Sequence, residues 1–134
     1  MPSIHQELTI DVDADTAWAA LRRVADAHTW FSPVLAASTL DGDVRTARFG
    51  NGMVVHERVL DVDDERRRVA YSVADGPGMT FHHASMQILA DGHGRCRFVW
   101  ITDFLPKEVG VQLTPLIEQG AKALKNNLER GAKR

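Results

Sequence analysis

The longest regular pattern of apolar positions occupies residues 107–130, near the end of the chain. Its apolar residues recur at spacings of three, four and seven, which places them on one side of an α-helix: Val109, Leu113, Leu116, Ile117, Leu124 and Leu128. Pro106 directly precedes this stretch, as is common at a helix start. A helix of this length buries one face only if another element covers it.

The first third of the chain predicts a strand followed by two short helices. Residues 3–11 alternate as a half-buried strand does, with one face formed by Ile4, Gln6, Leu8 and Ile10. Asp13 is the expected N-cap of a first helix that extends to Arg23. A second short helix carries Trp30 and Phe31, which we expect to border the core or a pocket.

Residues 34–104 predict six further strands. Short runs rich in Val, Phe, Tyr and Thr are separated by turn signals, which favours antiparallel hairpins: Asp41-Gly42, Asn51-Gly52, Asp63-Asp64, Asp75–Gly78 and Asp91–Gly94. The long helix must then pack on these strands, because no other large apolar surface is predicted. At 134 residues the chain is expected to form one domain, 1–134.

Composition narrows the possible partners. The net charge of −2 gives no electrostatic reason to expect a nucleic acid partner. There is no signal peptide pattern and no apolar run long enough to span a bilayer, so we expect a cytoplasmic protein. Cys96 is the single cysteine and cannot form an internal disulfide. The pattern leaves monomer and homodimer both open.

Four segments in order resemble the START/Bet v 1-like (SRPBCC) superfamily, and within it the bacterial polyketide cyclase/dehydratase-like branch. They are residues 10–18 (IDVDADTAW), Glu57–Leu60 with Asp63-Asp64, residues 100–106 (WITDFLP) and residues 119–125 (QGAKALK). The resemblance implies an α+β helix-grip fold, in which a seven-stranded antiparallel sheet wraps around the C-terminal helix and encloses a cavity. Members bind sterols, lipids, hormones or polyketides, and some of them are enzymes.

The predicted turn at Asn51-Gly52 determines which side chains of its two strands lie on the inner face of the sheet. If Asn51-Gly52 is a two-residue type I′ loop, Arg48 pairs with Val55 and Thr46 lies opposite Glu57. Arg48 would then sit diagonally from Glu57 on the inner face.

Three further turns add side chains to a row of polar residues that begins with Thr46 and Glu57 on the inner face of the sheet. Their expected lengths place Tyr71 opposite Glu57 and His82 opposite Tyr71. Thr102 then lies opposite His82. The inner face is assigned by its apolar content, because an error of one residue would turn a whole strand over.

These alignments predict the ligand contacts of a mostly apolar pocket with a few polar groups: Trp30, Phe31, Arg48, Val55, Glu57, Tyr71, His82, Met86, Trp100, Thr102, Leu113, Ile117 and Gly120. Gly120 either permits close contact with the sheet or leaves room for a ligand. The polar side chains contact a ligand, or they satisfy each other in a buried network.

Two functions fit this pocket, and a third alternative is a protein-interaction module whose cavity is vestigial. The first is binding of a small hydrophobic molecule without a cofactor. The alternative is a cofactor-independent polyketide cyclase or dehydratase, in which Glu57, Tyr71 or His82 would be the catalytic candidates for proton transfer. No metal site is predicted, since the sequence has neither an HExxH motif nor paired cysteines.

Overall fold

The computed structural model describes residues 2–76 and 78–132. Its strands are β1 (Ser3–Ile10), β2 (Leu35–Asp41), β3 (Val44–Phe49), β4 (Val54–Asp63), β5 (Arg68–Val73), β6 (Phe81–Ala90) and β7 (Cys96–Leu105). Its helices are α1 (Ala14–Leu21), α2 (Ala27–Phe31) and α3 (Gly110–Ala132), with 3₁₀ turns at Val24–Asp26 and Lys107–Val109. None of the helices among these residues is long and apolar enough to cross a membrane.

The seven strands form one antiparallel sheet in the order β1-β7-β6-β5-β4-β3-β2. The long helix α3 contacts β1 and α2, so its apolar face meets both the sheet and the short helix. The predicted helix-grip α+β fold is confirmed. The first turn of the long helix is 3₁₀, and Asp13 occupies the predicted N-cap position of α1 without capping it. Its Oδ1 instead accepts the Gly94 N–H at 2.9 Å.

The solid part of the core lies where β1, β6, β7 and the C-terminal half of α3 meet. Its fully buried side chains include Ile10, Ile88, Cys96, Phe98 and Leu124. Cys96 is packed as an apolar side chain, and burial raises the pKa of its thiol to about 11. This thiol is therefore protonated near neutral pH.

The predicted alignment of β3 with β4 is wrong by one residue. Arg45, not Thr46, pairs with Glu57, and Arg48 pairs with Val54. The cause lies in the loop, where the Asn51 side chain accepts the Met53 N–H at 2.9 Å. The loop is one residue longer than a two-residue turn, so β3 turns its other face inward.

Arg48 and Thr46 are therefore not part of the inner row. The Arg48 side chain is exposed, and Thr46 lies on the same outer side of β3. Arg45 takes the inner position and is buried.

The predicted pairings of Tyr71, His82 and Thr102 are wrong by two residues, which keeps these three side chains on their predicted face. Tyr71 pairs with Val59 and Ala84. Thr102 also pairs with Ala84, and not with His82. Next to the β4–β5 turn the offset is three residues, and a register shift between Val59 and Asp61, typical of a β-bulge, reduces it to two.

Candidate ligand cavity

A cavity of about 170 Å³ lies between the inner face of the sheet, α2 and the N-terminal half of α3. An apolar cavity of about 150 Å³ inside a protein is enough to hold benzene. The space therefore suits a molecule with one aromatic ring, and a larger molecule would have to reach toward the surface.

Twelve of the thirteen predicted contact residues line this cavity: Trp30, Phe31, Val55, Glu57, Tyr71, His82, Met86, Trp100, Thr102, Leu113, Ile117 and Gly120. Arg48 does not, for the reason given above. Whether these residues contact a ligand stays a prediction. The error in β3 hid Arg45 and Phe49, and the prediction also left out other lining residues, among them Met53, Val73 and Met79.

Arg45 and Glu57 form a buried ion pair in the cavity wall. The Arg45 Nε donates to Glu57 Oε1 at 2.8 Å, and its Nη1 donates to the Val24 carbonyl at 3.0 Å. The guanidinium also lies 5.4 Å from the centre of the Tyr71 ring. One signal in the sequence could have found Arg45, because Ala47 and Phe49 continue its face of β3 as apolar positions.

Tyr71 is a neutral phenol at the centre of the wall. Its oxygen accepts the Trp100 Nε1–H at 3.2 Å. Burial, followed by the Glu57 charge, raises the pKa of Tyr71 well above its usual range. The phenol therefore keeps its proton at neutral pH.

The His82 ring accepts a backbone N–H at the point where β5 and β6 separate and their backbone hydrogen bonds end. Its Nδ1 accepts the Val73 N–H at 3.0 Å, and the Ser72 hydroxyl donates to the His82 carbonyl at 2.6 Å. Since Nδ1 is an acceptor, the neutral ring carries its proton on Nε2. Burial, and then the neighbouring His83, lowers the pKa of His82 to about 4, so the ring is neutral at pH 7.

Thr102 has the most unusual polar group in the cavity wall. Its side chain is 1% exposed. Among the described residues, its Oγ1 is the one buried side-chain atom without a hydrogen-bond partner. Such a group destabilises a folded protein unless something else satisfies it.

Gly120 allows the sheet to approach α3 closely. A Cβ atom at this position would lie 3.0 and 3.2 Å from two carbons of the Trp100 indole. The Trp100 ring therefore occupies the space that the missing side chain leaves, and a ligand would contact the ring beside it.

The cavity reaches the surface beside the β3–β4 loop. Val34, Phe49 and Leu116 line both the cavity and a shallow surface groove that also includes Gly50. The Gly50 N–H donates to the Val34 carbonyl at 2.9 Å, which fixes one side of this opening. Gly76 and Met79, from the β5–β6 loop at the same end of the sheet, line the cavity as well.

A metal centre has no support in the part of the chain that the structure describes. No group of three or more His, Cys, Asp or Glu side chains lies together there. On the sheet side, the polar groups of the cavity include one ion pair, one neutral imidazole, one phenol and one hydroxyl, and Arg23 and Gln112 line the cavity from outside the sheet.

The sequence matches the model of a known protein family over its whole length. The family model described as "polyketide cyclase / dehydrase and lipid transport" matches residues 1–134. No curated protein matches the sequence.

Solved structures share the fold at low sequence identity. An uncharacterised Bacillus thuringiensis protein has a TM-score of 0.87 and 20% identity, with 94% of this chain and 98% of that chain covered. A START superfamily protein from Mycobacterium smegmatis has a TM-score of 0.77, 14% identity and coverage of 96% and 97%. Thalictrum flavum norcoclaurine synthase, in complex with dopamine and hydroxybenzaldehyde, has a TM-score of 0.75, 21% identity and coverage of 97% and 85%.

Proposed function

Because the chain belongs to the polyketide cyclase/dehydrase and lipid transport family, we propose that it binds a small hydrophobic molecule in the cavity between the sheet and α3. The family has a ligand-binding fold, which makes a cavity ligand the first function to test. The ligand is a compact aromatic or isoprenoid-like compound, with about one ring enclosed.

The observation that carries this proposal is the composition of the cavity wall. Aromatic and aliphatic side chains from the sheet, α2 and α3 surround the space, and only a few polar groups interrupt them. Small-molecule sites usually have this composition. Norcoclaurine synthase, which has the same fold, is in complex with dopamine and hydroxybenzaldehyde, and this supports testing aromatic ligands.

The polar groups favour binding over proton transfer. Glu57 is held by Arg45 at 2.8 Å, and so the carboxylate is occupied inside the protein. With a pKa of about 4, His82 is a weak base at pH 7. The Tyr71 phenol is a poor acid because its pKa is raised. A cyclase or dehydratase would need one of these groups released, and we therefore rank that alternative second.

Dye uptake and native mass spectrometry test the proposal with a matched pair of variants. Val55 is buried and lines the cavity, whereas the adjacent Val54 is half exposed on the outer face. Val55→Phe places a ring in the cavity, and Val54→Phe adds the same volume outside it. We expect wild type and Val54→Phe to take up the neutral dye N-phenyl-1-naphthylamine, with its phenyl ring enclosed and its naphthyl group reaching the surface opening beside the β3–β4 loop. Val55→Phe should take up little.

Two results would contradict the proposal. One is equal dye uptake by both variants, since the dye would then bind elsewhere. The other is wild-type protein that takes up no dye and carries no small molecule in native mass spectra. A folded Val55→Phe variant, checked by circular dichroism, is required for the comparison.

A further inference from the structure

Two hydrogen-bond donors on one wall of the cavity lack a partner. The Thr102 hydroxyl is fully buried and unpaired among the described residues. His82 lines the same cavity, and a hydrogen bond from the described residues reaches its ring only at Nδ1, so the Nε2–H is available to a ligand. The Arg45 and Glu57 side chains are paired with each other, and the Tyr71 oxygen accepts the Trp100 Nε1–H.

The two donors are close neighbours in the sheet. Ala84 pairs directly with Thr102, and His82 precedes Ala84 by two residues on the same face of β6. Diagonal neighbours of this kind lie about 7–8 Å apart, within reach of one group placed between them. A carbonyl oxygen has two lone pairs and can accept both hydrogen bonds at once.

The charge of the wall selects among oxygen-containing groups. The Arg45 guanidinium already faces the Glu57 carboxylate, and the His82 ring is neutral. Arg23, which also lines the cavity, pairs with Asp26. A buried carboxylate would therefore find no unpaired cation among the described lining residues and would lose its hydration. A carbonyl needs only the two donors.

We infer that Thr102 and His82 together recognise a neutral carbonyl oxygen, so that the cavity takes ring-sized ketones or aldehydes and rejects carboxylates. This inference rests on the proposed function, because it specifies the ligand of the same cavity. Without a ligand the unpaired Thr102 hydroxyl destabilises the protein, and a carbonyl ligand removes this penalty by accepting a hydrogen bond from the hydroxyl.

The test compares acetophenone with ethylbenzene, which has nearly the same shape but no oxygen. We measure the dissociation constants of both by NMR titration and form their ratio, acetophenone over ethylbenzene. Thr102→Val should raise this ratio roughly three- to tenfold, the value of one neutral hydrogen bond, without lowering the stability of the empty protein. Thr102→Ser keeps the hydroxyl and should leave the ratio near that of wild type.

Thr46→Val is the matched control, because it is the same change on the outer side of β3. It should not alter the ratio. Acetophenone should also shift the NMR signal of the His82 Nε2–H, and ethylbenzene should shift it less. Benzoate should not bind to the wild-type protein in the same titration.

The outcomes separate the two proposals. If neither acetophenone nor ethylbenzene binds and the dye is not taken up, the proposed function is overturned together with this inference. If both bind and Thr102→Val leaves the ratio unchanged, only the donor pair is wrong. Binding of benzoate as tight as that of acetophenone would overturn the preference for a neutral oxygen.

Discussion

The two halves of α3 face the same sheet, but one half packs in the core and the other half lines the cavity. In the C-terminal half, Leu124 and Leu128 are buried in close contact with the solid core. In the N-terminal half, Leu113 and Ile117 line the cavity, and Gly120 marks the boundary. One amphipathic pattern therefore covers a packed region and a hollow region, and the sequence periodicity is the same in both.

The largest expected effect on stability comes from a comparison of one leucine in each half of α3. Leu124→Ala should lower the free energy of unfolding by about 4 kcal/mol, because it opens a cavity in a fully packed site. Leu113→Ala should cost about 1 kcal/mol, because Leu113 already borders empty space and loses fewer contacts. Urea unfolding of both variants measures the difference, and equal costs would mean that the cavity is filled in solution.

The second prediction concerns the ion pair in the hollow half. Arg45→Met should cost about 3 kcal/mol, because it leaves the Glu57 carboxylate buried without its partner. Adding Glu57→Gln should recover a large part of this loss, since the unpaired charge is then gone. Both are measured by urea unfolding at pH 7.

Arg48→Met is the control for this prediction. The structure places Arg48 on the exposed face of β3, so its replacement should change stability by less than about 0.5 kcal/mol. A large loss at Arg48 together with a small one at Arg45 would restore the strand alignment that the sequence suggested.

The third prediction uses the pH dependence of His82. The folded protein holds this ring neutral with a pKa of about 4, below the 6.5 of an unperturbed histidine. Between these values the unfolded chain binds more protons, so stability falls as the pH is lowered. From pH 7.5 to pH 5 the loss due to His82 should be about 2 kcal/mol.

His82→Asn isolates this contribution. The asparagine carbonyl oxygen can still accept the Val73 N–H, but it does not titrate. Urea unfolding of both proteins at pH 7.5 and pH 5 should show a smaller loss for the variant. Parallel pH profiles for the two proteins would show that His82 is not held neutral.

The sequence predicted the fold and most of the cavity wall for a simple physical reason. Side chains alternate along a strand, so pairings wrong by two residues still placed Tyr71, His82 and Thr102 on the inner face. At β3 the error was one residue, because the Asn51 side chain stabilises a longer loop than Asn-Gly usually forms. The longer loop places Arg45, and not Arg48, on the inner face.

Other features of the site depend on contacts that no local pattern records. The Thr102 hydroxyl is unpaired because no acceptor or donor from the described residues is placed to hydrogen-bond with it in the folded structure, and the sequence does not reveal this. The hydrogen bond from the Val73 N–H to His82 arises where two strands separate, and strand propensity does not predict where that happens.

The smallest expected effect on stability lies at the boundary between the two halves of α3. Gly120→Ala adds a methyl group 3.0 Å from the Trp100 ring, which must then move toward the cavity. The gain in helix propensity, about 1 kcal/mol, offsets much of the cost of this crowding. Dye affinity should nevertheless fall several-fold, because the indole enters space that the ligand needs.

Gly131→Ala, an exposed change in the same helix with nothing within 4 Å, should leave dye affinity unchanged. If Gly120→Ala lowers stability strongly and leaves dye binding intact, the glycine serves packing alone and the hollow region begins further toward the start of the helix.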